Sequence, residues 1–341
     1  MLSPKIMTVN SCADNDRKLF LVNYKIFVQG GFCMDMYFGD TPLCYTNSVA
    51  MMLYSYGYNF RPEYLEAIMV MGNGASIVDN NTKYPLIFFD NGLPDVSISN
   101  CLHILGFEYE EFFLNSSDEI HHNTIIEKLK LFLTNGSVVV GPLDMGYLTY
   151  QTNFMDHKGV DHFVSVFDLD DDNIYFHDPA GYPCMKMNLV DFLESWKASN
   201  IIYKRGAFSM WGNIQRTKSP TNKKIYQDVS LIMKKRYEFG DTQVIENYAK
   251  SIKKNGLNQK QKKLQQFFSF KLASTRNLYM SKFLKDYDPV RANIKEHLAV
   301  LFGKAHLESV QENYLDLANT LINISNLDEQ FKKLCIQYKG E

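Results

Sequence analysis

The sequence contains little tryptophan, few cysteines and no long apolar run. Its 341 residues include 2 Trp, 6 Cys and 10 Pro. No apolar segment approaches the roughly 18–20 residues needed to cross a bilayer, which argues against a membrane-spanning helix or a membrane partner. The N-terminus does not show a charged segment followed by an apolar one, so we find no secretory signal and expect a cytoplasmic protein.

The cysteines are too scattered to form a framework. They stand at positions 12, 33, 44, 101, 184 and 335, without the Cys-x-x-Cys spacing of zinc sites. Disulfide frameworks belong to short secreted chains, so we interpret the six cysteines as free thiols. The glycines lack a phosphate-binding or dinucleotide-binding context, and no basic stripe is interleaved with aromatics. We therefore predict no bound cofactor, no metal and no nucleic-acid partner.

The charges that are present are divided unevenly along the chain. Residues 1–220 hold 15 Lys and Arg against 25 Asp and Glu, whereas residues 221–341 hold 21 against 13. A polar patch over 216–222 separates a region of mixed patterns from one with helical spacing almost throughout. The sequence therefore predicts an α+β domain over 1–215 and an α-helical domain over 222–341.

Hydrophobic periodicity and turn residues give the elements in more detail. In the first domain they predict helices over 44–57, 61–72, 95–106, 118–134 and 188–197, and strands over 18–30, 107–113, 137–142, 162–168, 173–178 and 199–210. In the second domain they predict helices over 224–238, 242–254, 258–285, 288–303 and 306–338. Strands 162–168 and 173–178 are separated by a short acidic turn, which predicts an antiparallel hairpin.

A cysteine stands where a turn meets an apolar helix, in the stretch GDTPLCYTNSVAMML that begins at Gly39. Pro42 suits the first turn of a helix, where a missing N–H costs least. Cys44 would then lie near the positive end of the helix dipole, which favours a thiolate. The same position also suits a buried, inert thiol, so the sequence context has to decide.

Two further residues complete a catalytic arrangement. His162 opens one strand of the predicted hairpin and Asp178 ends the other, so their side chains are expected to meet. The carboxylate can hold the imidazole tautomer while the ring takes the thiol proton from Cys44. His177 points to the opposite face by strand alternation, and we interpret it as structural. The order Cys, His, Asp is typical of papain-like folds.

These motifs carry a resemblance. The segments DTPLCYTNSVAMML and HFVSVFDLDDDNIYFHDPAGYP resemble the papain-like peptidases that cleave bacteriocin leader peptides. With YLEAIMVMGNG, VVVGPLDM and the helical C-terminal region, the chain is more similar to the butirosin biosynthesis protein H family of acyltransferases. The resemblance covers about 30–210 by motif, and beyond 220 only helical character and domain order.

The resemblance implies a papain-like cysteine peptidase fold followed by a helical domain. It implies antibiotic or other secondary-metabolite biosynthesis, with an (amino)acyl group moved from an acyl carrier protein to a small-molecule amine. The acyl group would arrive on the phosphopantetheine of the carrier rather than on a cofactor of this chain. By residue, it carries over Cys44 as nucleophile, His162 as general base and acid, and Asp178 as the orienting acid.

One position departs from the peptidase pattern. Leader peptidases and papain carry a Gln six residues before the cysteine as an oxyanion donor, and Phe38 stands there in this chain. Tyr37 and Thr41 are candidate replacements. Loss of a donor harms proteolysis of an amide more than cleavage of a thioester, which favours acyl transfer. A papain-like cysteine peptidase or amidase, and a catalytically silent binding protein, stay as alternatives.

Charged residues outside this arrangement have weaker interpretations. Asp156, His157 and Asp161 are candidates for the substrate entrance, and the histidine pair 121–122 is interpreted as solvated. The lysines within 253–263 form a candidate docking patch for an acidic carrier protein. The same lysines are also consistent with a solvated helix surface, and a homodimer formed through the helical domain is an equal alternative.

Overall fold

The first helices begin where turn residues or prolines meet apolar segments. The computed structural model describes residues 36–39, 41–115, 121–239 and 243–340, so the strand predicted over 18–30 lies outside the described residues. Helix α1 (Cys44–Ser55) buries nine consecutive side chains. Helix α2 (Pro62–Ile68) begins with proline at a position where no backbone N–H is needed, as predicted.

The rest of the first part alternates between strands and helices. Its elements are β1 (Ser76–Asp79), β2 (Leu86–Phe88), α3 (Pro94–Ile104), β3 (Phe107–Leu114), α4 (His122–Leu133), β4 (Val138–Asp144), β5 (Asp161–Leu169), β6 (Asn173–Asp178), β7 (Tyr182–Asn188), α5 (Leu189–Lys197) and β8 (Ala207–Arg216). Strands β1 and β2 form a small hairpin of their own. The other six form a sheet in the order β3-β8-β4-β5-β6-β7, with neighbours antiparallel.

The predicted hairpin is present in this sheet. Strands β5 and β6 pair antiparallel, with Ser165 opposite His177 and Leu169 opposite Ile174. Their turn is held by the Asp170 carboxylate, which accepts the backbone N–H of Asn173 at 2.7 Å. The mixed α and β content and the antiparallel sheet confirm the α+β prediction at this level.

Side chains from alternate strand positions enter two separate cores. Val139, Phe163 and Trp211 join the core that contains α1, whereas Val138 and Val140 join the core beneath α4 and α5. This division follows from the two-residue period of a strand, which sends successive side chains to opposite faces. The sheet is therefore covered on both faces, and α1 packs directly on β4 and β5.

Most of the described residues beyond β8 are helical. The helices are α6 (Asn222–Glu238), α7 (Val244–Asn255), α8 (Gln259–Leu264), α9 (Phe270–Leu284), α10 (Pro289–Val310) and α11 (Tyr314–Gln337), with a π-helical turn at Gln265–Ser269 between α8 and α9. Side chains from these helices enter the same core as α1, so the two parts share a hydrophobic core. Among the described helices, none combines the length and apolar content that a bilayer span requires.

Several predicted boundaries are wrong. Helix α10 continues through Gly303 to Val310, where the sequence predicted a break. A Cβ at Gly303 would meet only Ser274 Oγ, at 4.0 Å, so no close approach requires glycine there. The helix continues because α10 packs along α9, where Ser274 donates to the Ala299 carbonyl oxygen at 2.8 Å. Helix α2 ends at Ile68 rather than near 72.

The last strand is also displaced from its prediction. Strand β8 begins at Ala207, whereas the sequence predicted a strand over 199–210. The apolar run that suggested an earlier start leaves Ile202 93% exposed. Lys204 instead donates to the carbonyl oxygens of Ala198 and Ile201, which closes a turn. Helix α4 begins at His122, and residues 118–120 of its predicted span lie outside the described residues. The sequence missed β1, β2 and β7.

Candidate active site

The thiol of Cys44 lies at the first position of α1. Leu43 is the N-cap residue and makes no side-chain capping bond, so no capping side chain covers the start of this helix. Pro42 therefore precedes the helix, and its predicted place in the first turn is wrong. The first-turn N–H groups have no acceptor within a helix, and they provide positive potential beside a half-buried free thiol.

His162 and Asp178 meet as the hairpin predicted. The imidazole Nε2 lies 2.6 Å from Asp178 Oδ1, and both side chains are buried. His162 stands at the start of β5 and Asp178 at the end of β6, so pairing of the two strands sets this contact. Because Nε2 is occupied by the carboxylate, Nδ1 is the ring nitrogen left for a second partner.

Four donors surround the Asp178 carboxylate. In addition to His162, the Ala180 N–H donates to Oδ1, and Tyr150 and Gln151 donate to Oδ2, each at 2.7 Å. Burial opposes ionisation, but the charge and hydrogen bond of His162, assisted by the other donors, lower the pKa of Asp178 to about 2. The carboxylate is thus fully hydrogen-bonded and charged.

The thiol and the imidazole are in electrostatic contact. Burial alone would lower the pKa of His162, but the charge and hydrogen bond of Asp178, followed by those of Cys44, hold this pKa well above its usual value. The ring is therefore stabilised as imidazolium between a carboxylate and the thiol. This arrangement can release a proton to a leaving group and recover it from an attacking one.

The position of the missing glutamine is apolar in the structure as well. Phe38 is partly buried and packs against the core that contains α1. The Tyr37 hydroxyl donates to the Asp178 carbonyl oxygen and accepts from the Gly181 N–H, both at 2.9 Å. Its hydrogen is therefore committed, which removes Tyr37 as the oxyanion donor. The role suggested for Thr41 stays a prediction.

The remaining candidate residues surround the site or lie apart from it. The Tyr203 hydroxyl donates to Asp161 at 2.5 Å, and its own pKa is raised mainly by burial, with Asp161 and Cys44 adding to the effect. Asp156 is exposed and forms an ion pair with Lys263 at 3.5 Å. His177 is buried and its Nδ1 accepts from the Cys184 N–H at 3.2 Å.

The other histidines and the lysine patch have simple environments. Both histidines of the pair 121–122 are exposed. Lys260 pairs with Asp79, and Lys262 pairs with Glu312, so the candidate docking patch is partly neutralised by the chain itself. In the ranges that the structure describes, His, Cys, Asp and Glu do not gather in a group that could hold a metal ion.

Sequence reasoning missed a buried group of charges behind α1. Arg276 of α9 pairs with both Glu66 of α2 and Asp90, and these three side chains are almost fully buried. Arg236 of α6, whose side chain is 11% exposed, pairs with Asp90 as well. Tyr45, the residue after Cys44, is hydrogen-bonded into this group. These charged residues come from segments that are far apart in the chain. The sequence pattern around each one predicts an ordinary helix or loop, so no local pattern indicates the group.

Known proteins are similar to this chain at two levels, one family model over the C-terminal helices and one relative over most of the chain. The family model described as the YobF C-terminal domain matches residues 236–335. The "Uncharacterized protein YobF" of Bacillus subtilis (strain 168) is 30% identical over 307 residues, which is 88% of this chain and 97% of that protein. At this identity and coverage, the chain belongs to the YobF family.

Proposed function

We propose that this protein is a cysteine-dependent acyltransferase with a papain-like catalytic fold. One observation carries the proposal: a buried carboxylate holds the His162 imidazole at 2.6 Å, and a half-buried thiol at an uncapped helix start helps to raise the pKa of that ring. Cysteine acyl transfer needs a nucleophile, a proton carrier and an orienting group, which are the roles of Cys44, His162 and Asp178. A helix-borne thiol facing a strand-borne histidine also supports the papain-like assignment.

The first half-reaction forms a covalent acyl-enzyme. The Cys44 thiolate attacks the carbonyl carbon of an acyl thioester, and a new C–S bond forms while the carrier C–S bond breaks. His162 gives its proton to the departing carrier thiolate and becomes neutral. Asp178 accepts the hydrogen bond from Nε2 throughout, which leaves Nδ1 to exchange the proton in each half-reaction.

The second half-reaction passes the acyl group to an amine. Neutral His162 takes a proton as the acceptor nitrogen attacks the acyl-enzyme, an amide bond forms, and Cys44 leaves as thiolate. The imidazolium is then restored beside the thiolate. The raised pKa of His162 suits this cycle because the resting site holds the proton that the first leaving group needs.

The environment of Phe38 favours acyl transfer over proteolysis. This side chain offers no hydrogen bond to a developing oxyanion, and it packs against the α1 core. Thioesters are activated acyl donors, so they need less oxyanion stabilisation than amides do. Hydrolysis of peptides or small amides by the same three residues is the second candidate, since water can replace the amine.

The test is trapping of the acyl-enzyme. The full chain is incubated with carrier proteins bearing different acyl and aminoacyl groups, and intact mass spectrometry follows the adduct. We expect an adduct that Cys44→Ala abolishes and that an added amine discharges. Cys184→Ala is the matched control, because Cys184 is an exposed free thiol on β7 and has no role in the proposed mechanism.

Three results would change the conclusion. Adduct formation that survives Cys44→Ala would overturn the assigned nucleophile. Release of free acid at the same rate with and without amine would favour the hydrolase. The silent binding protein would be supported if Cys44 reacts with iodoacetamide no faster than Cys184 near neutral pH and no carrier gives an adduct.

A further inference from the structure

The residues that follow Cys44 are fastened to a buried carboxylate. Tyr45 donates its hydroxyl hydrogen to Glu66 Oε1 at 3.2 Å, and Thr46 donates to the other oxygen of the same carboxylate. Glu66 belongs to α2 and is 1% exposed. The first turn of α1, which presents the thiol on one side, is therefore held from behind by Glu66.

Arg276 of α9 neutralises this carboxylate. Its Nε lies 2.7 Å from Glu66 Oε1, and its Nη1 lies 2.9 Å from Asp90 Oδ2. Its Nη2 donates to the Tyr45 hydroxyl, although the two residues are 231 positions apart in the chain. A guanidinium is a rigid, planar fork of donors, so a single side chain can bind three partners in fixed directions.

Arg236 of α6 completes the charge balance. Its guanidinium lies 3.7 Å from Asp90 Oδ1 and donates to Ser97 at 2.8 Å. The group thus contains two guanidinium groups and two carboxylates. Removing one guanidinium would leave a buried negative charge without compensation. This change is costly in free energy, and it alters the electrostatic potential at neighbouring groups.

The charge of Arg276 acts on the chain neighbours of both Cys44 and His162. The pKa of Tyr45 is raised mainly by burial, while Arg276 opposes this rise and Cys44 adds to it. The pKa of Asp161, the residue before His162, is also raised by burial and lowered in part by Arg276. Arg276 thus acts on Tyr45, which follows the thiol in the chain, and on Asp161, which precedes the imidazole.

We propose that Arg276 is a positioning residue of the active site, which fixes the first turn of α1 and biases the thiol–imidazole pair toward its charged form. The C-terminal helices then complete the site rather than only attach to it. The inference rests on the proposed function in one respect, that Cys44 is the reacting thiol. A purely structural Arg276 would stabilise the fold and leave thiol chemistry unchanged.

The pH dependence of Cys44 alkylation separates the two roles. In the full chain, the rate of iodoacetamide reaction at Cys44 is measured against pH, with the site confirmed by peptide mass. Arg276→Met removes the charge and the fork, and we expect the acid limb to move up by about one pH unit, which slows alkylation on that limb about tenfold. Arg276→Lys keeps the positive charge but loses the planar set of donors, so its acid limb should lie between those of the wild type and Arg276→Met.

Arg291→Met is the matched control. Arg291 is also a buried arginine of the helical part, and it donates to Tyr226 at 2.8 Å and to Ser230 at 3.0 Å. It is not part of the group behind α1, so its loss should reduce stability and leave the alkylation limb in place. Thermal unfolding of each variant reports the structural cost separately.

The outcomes are distinguishable. The positioning role would be overturned if the acid limb of Cys44 alkylation in Arg276→Met stays at its wild-type pH. It would also be overturned if Arg291→Met shifts that limb by the same amount. If Arg276→Met does not fold, Glu66→Gln is measured instead, because it removes a negative charge and preserves the shape of the side chain. The acid limb of Cys44 alkylation should then move to lower pH. An unchanged limb, or one that moves to higher pH, contradicts the inference. A wild-type Cys44 no more reactive than Cys184 would instead contradict the proposed function.

Discussion

The contact between His162 and Asp178 can be tested without destroying the site. In Asp178→Asn, the amide oxygen can accept from His162 and Ala180, as Oδ1 does now. The amide nitrogen would then face Tyr150 and Gln151, which donate to Oδ2 in the native protein. A hydroxyl can rotate and a glutamine amide can flip to accept a hydrogen bond. The substitution therefore removes the charge while the geometry is retained.

The expected change in the pKa of His162 follows from the difference between a charged and a neutral hydrogen-bond acceptor. A hydrogen bond to a charged partner contributes about 1.5–3 kcal/mol, against about 0.5–1.5 kcal/mol for a neutral one. Losing about 1–1.5 kcal/mol of preference for the imidazolium corresponds to about one pKa unit. Asp178 raises the pKa of His162, so Asp178→Asn should lower it, and the imidazolium should be lost at lower pH.

The direct assay is an NMR titration of ¹⁵N-labelled histidine, with His162 assigned by comparison with His162→Gln. The alkaline limb of kcat/KM for a small N-acetylcysteamine thioester should move down by the same amount. Asp170→Asn is the control, because Asp170 is an exposed carboxylate of the same hairpin whose pKa is also lowered to about 2, by Tyr175. A His162 titration midpoint that is unchanged in Asp178→Asn, or lowered equally in Asp170→Asn, would refute the reasoning.

Stability should depend on pH through the same pair. The pKa of His162 is raised on folding, so its contribution is full below its unfolded value of about 6.5 and is lost as pH rises through the folded value. The pKa of Asp178 is lowered on folding, so its contribution is present above about 3.9 and is lost as pH falls toward about 2. Asp178→Asn should reduce the acid-side dependence in urea unfolding curves and leave the part that comes from Asp170, whose pKa is also lowered.

Three further changes test other parts of the molecule. Phe38→Gln should raise amide hydrolysis relative to thioester cleavage, by up to about 10²–10³ if the amide reaches the oxyanion, whereas Phe38→Leu should not; an unchanged ratio would show that no donor is missing there. Reversing charge at Lys262 and Lys263 should raise KM for a carrier-bound donor at low salt and leave KM for a small thioester unchanged; equal effects on both substrates would contradict carrier docking. Trp196→Ala should cost about 3–5 kcal/mol in urea unfolding, because the ring is fully buried and donates to the Ser209 carbonyl; a loss below 1 kcal/mol would mean that the core closes around the gap.

Local signals were sufficient for many elements of the fold. Asp288 and Pro289 predict the start of α10, and the Asp170 turn predicts the β5–β6 hairpin; both are present. These signals work because capping, proline geometry and tight turns depend on neighbours in sequence. They fail at Gly303, where packing of α9 on α10 favours a continuous helix, and at Ile202, where an apolar run lies exposed in a turn.

The sequence alone determined the order of the chemistry: a cysteine at a helix start, and a histidine and an aspartate on the two strands of a hairpin. Strand pairing brings His162 to Asp178 by short-range rules, so a spacing of 16 residues was enough to predict their contact. The tertiary structure alone decided what lies behind and beside the thiol. Arg276, Glu66 and Tyr45 meet because α9, α2 and α1 pack in one core, and the Tyr37 hydroxyl is committed to Asp178 and Gly181. Contacts between segments hundreds of residues apart depend on how the whole chain packs, and no local pattern encodes them.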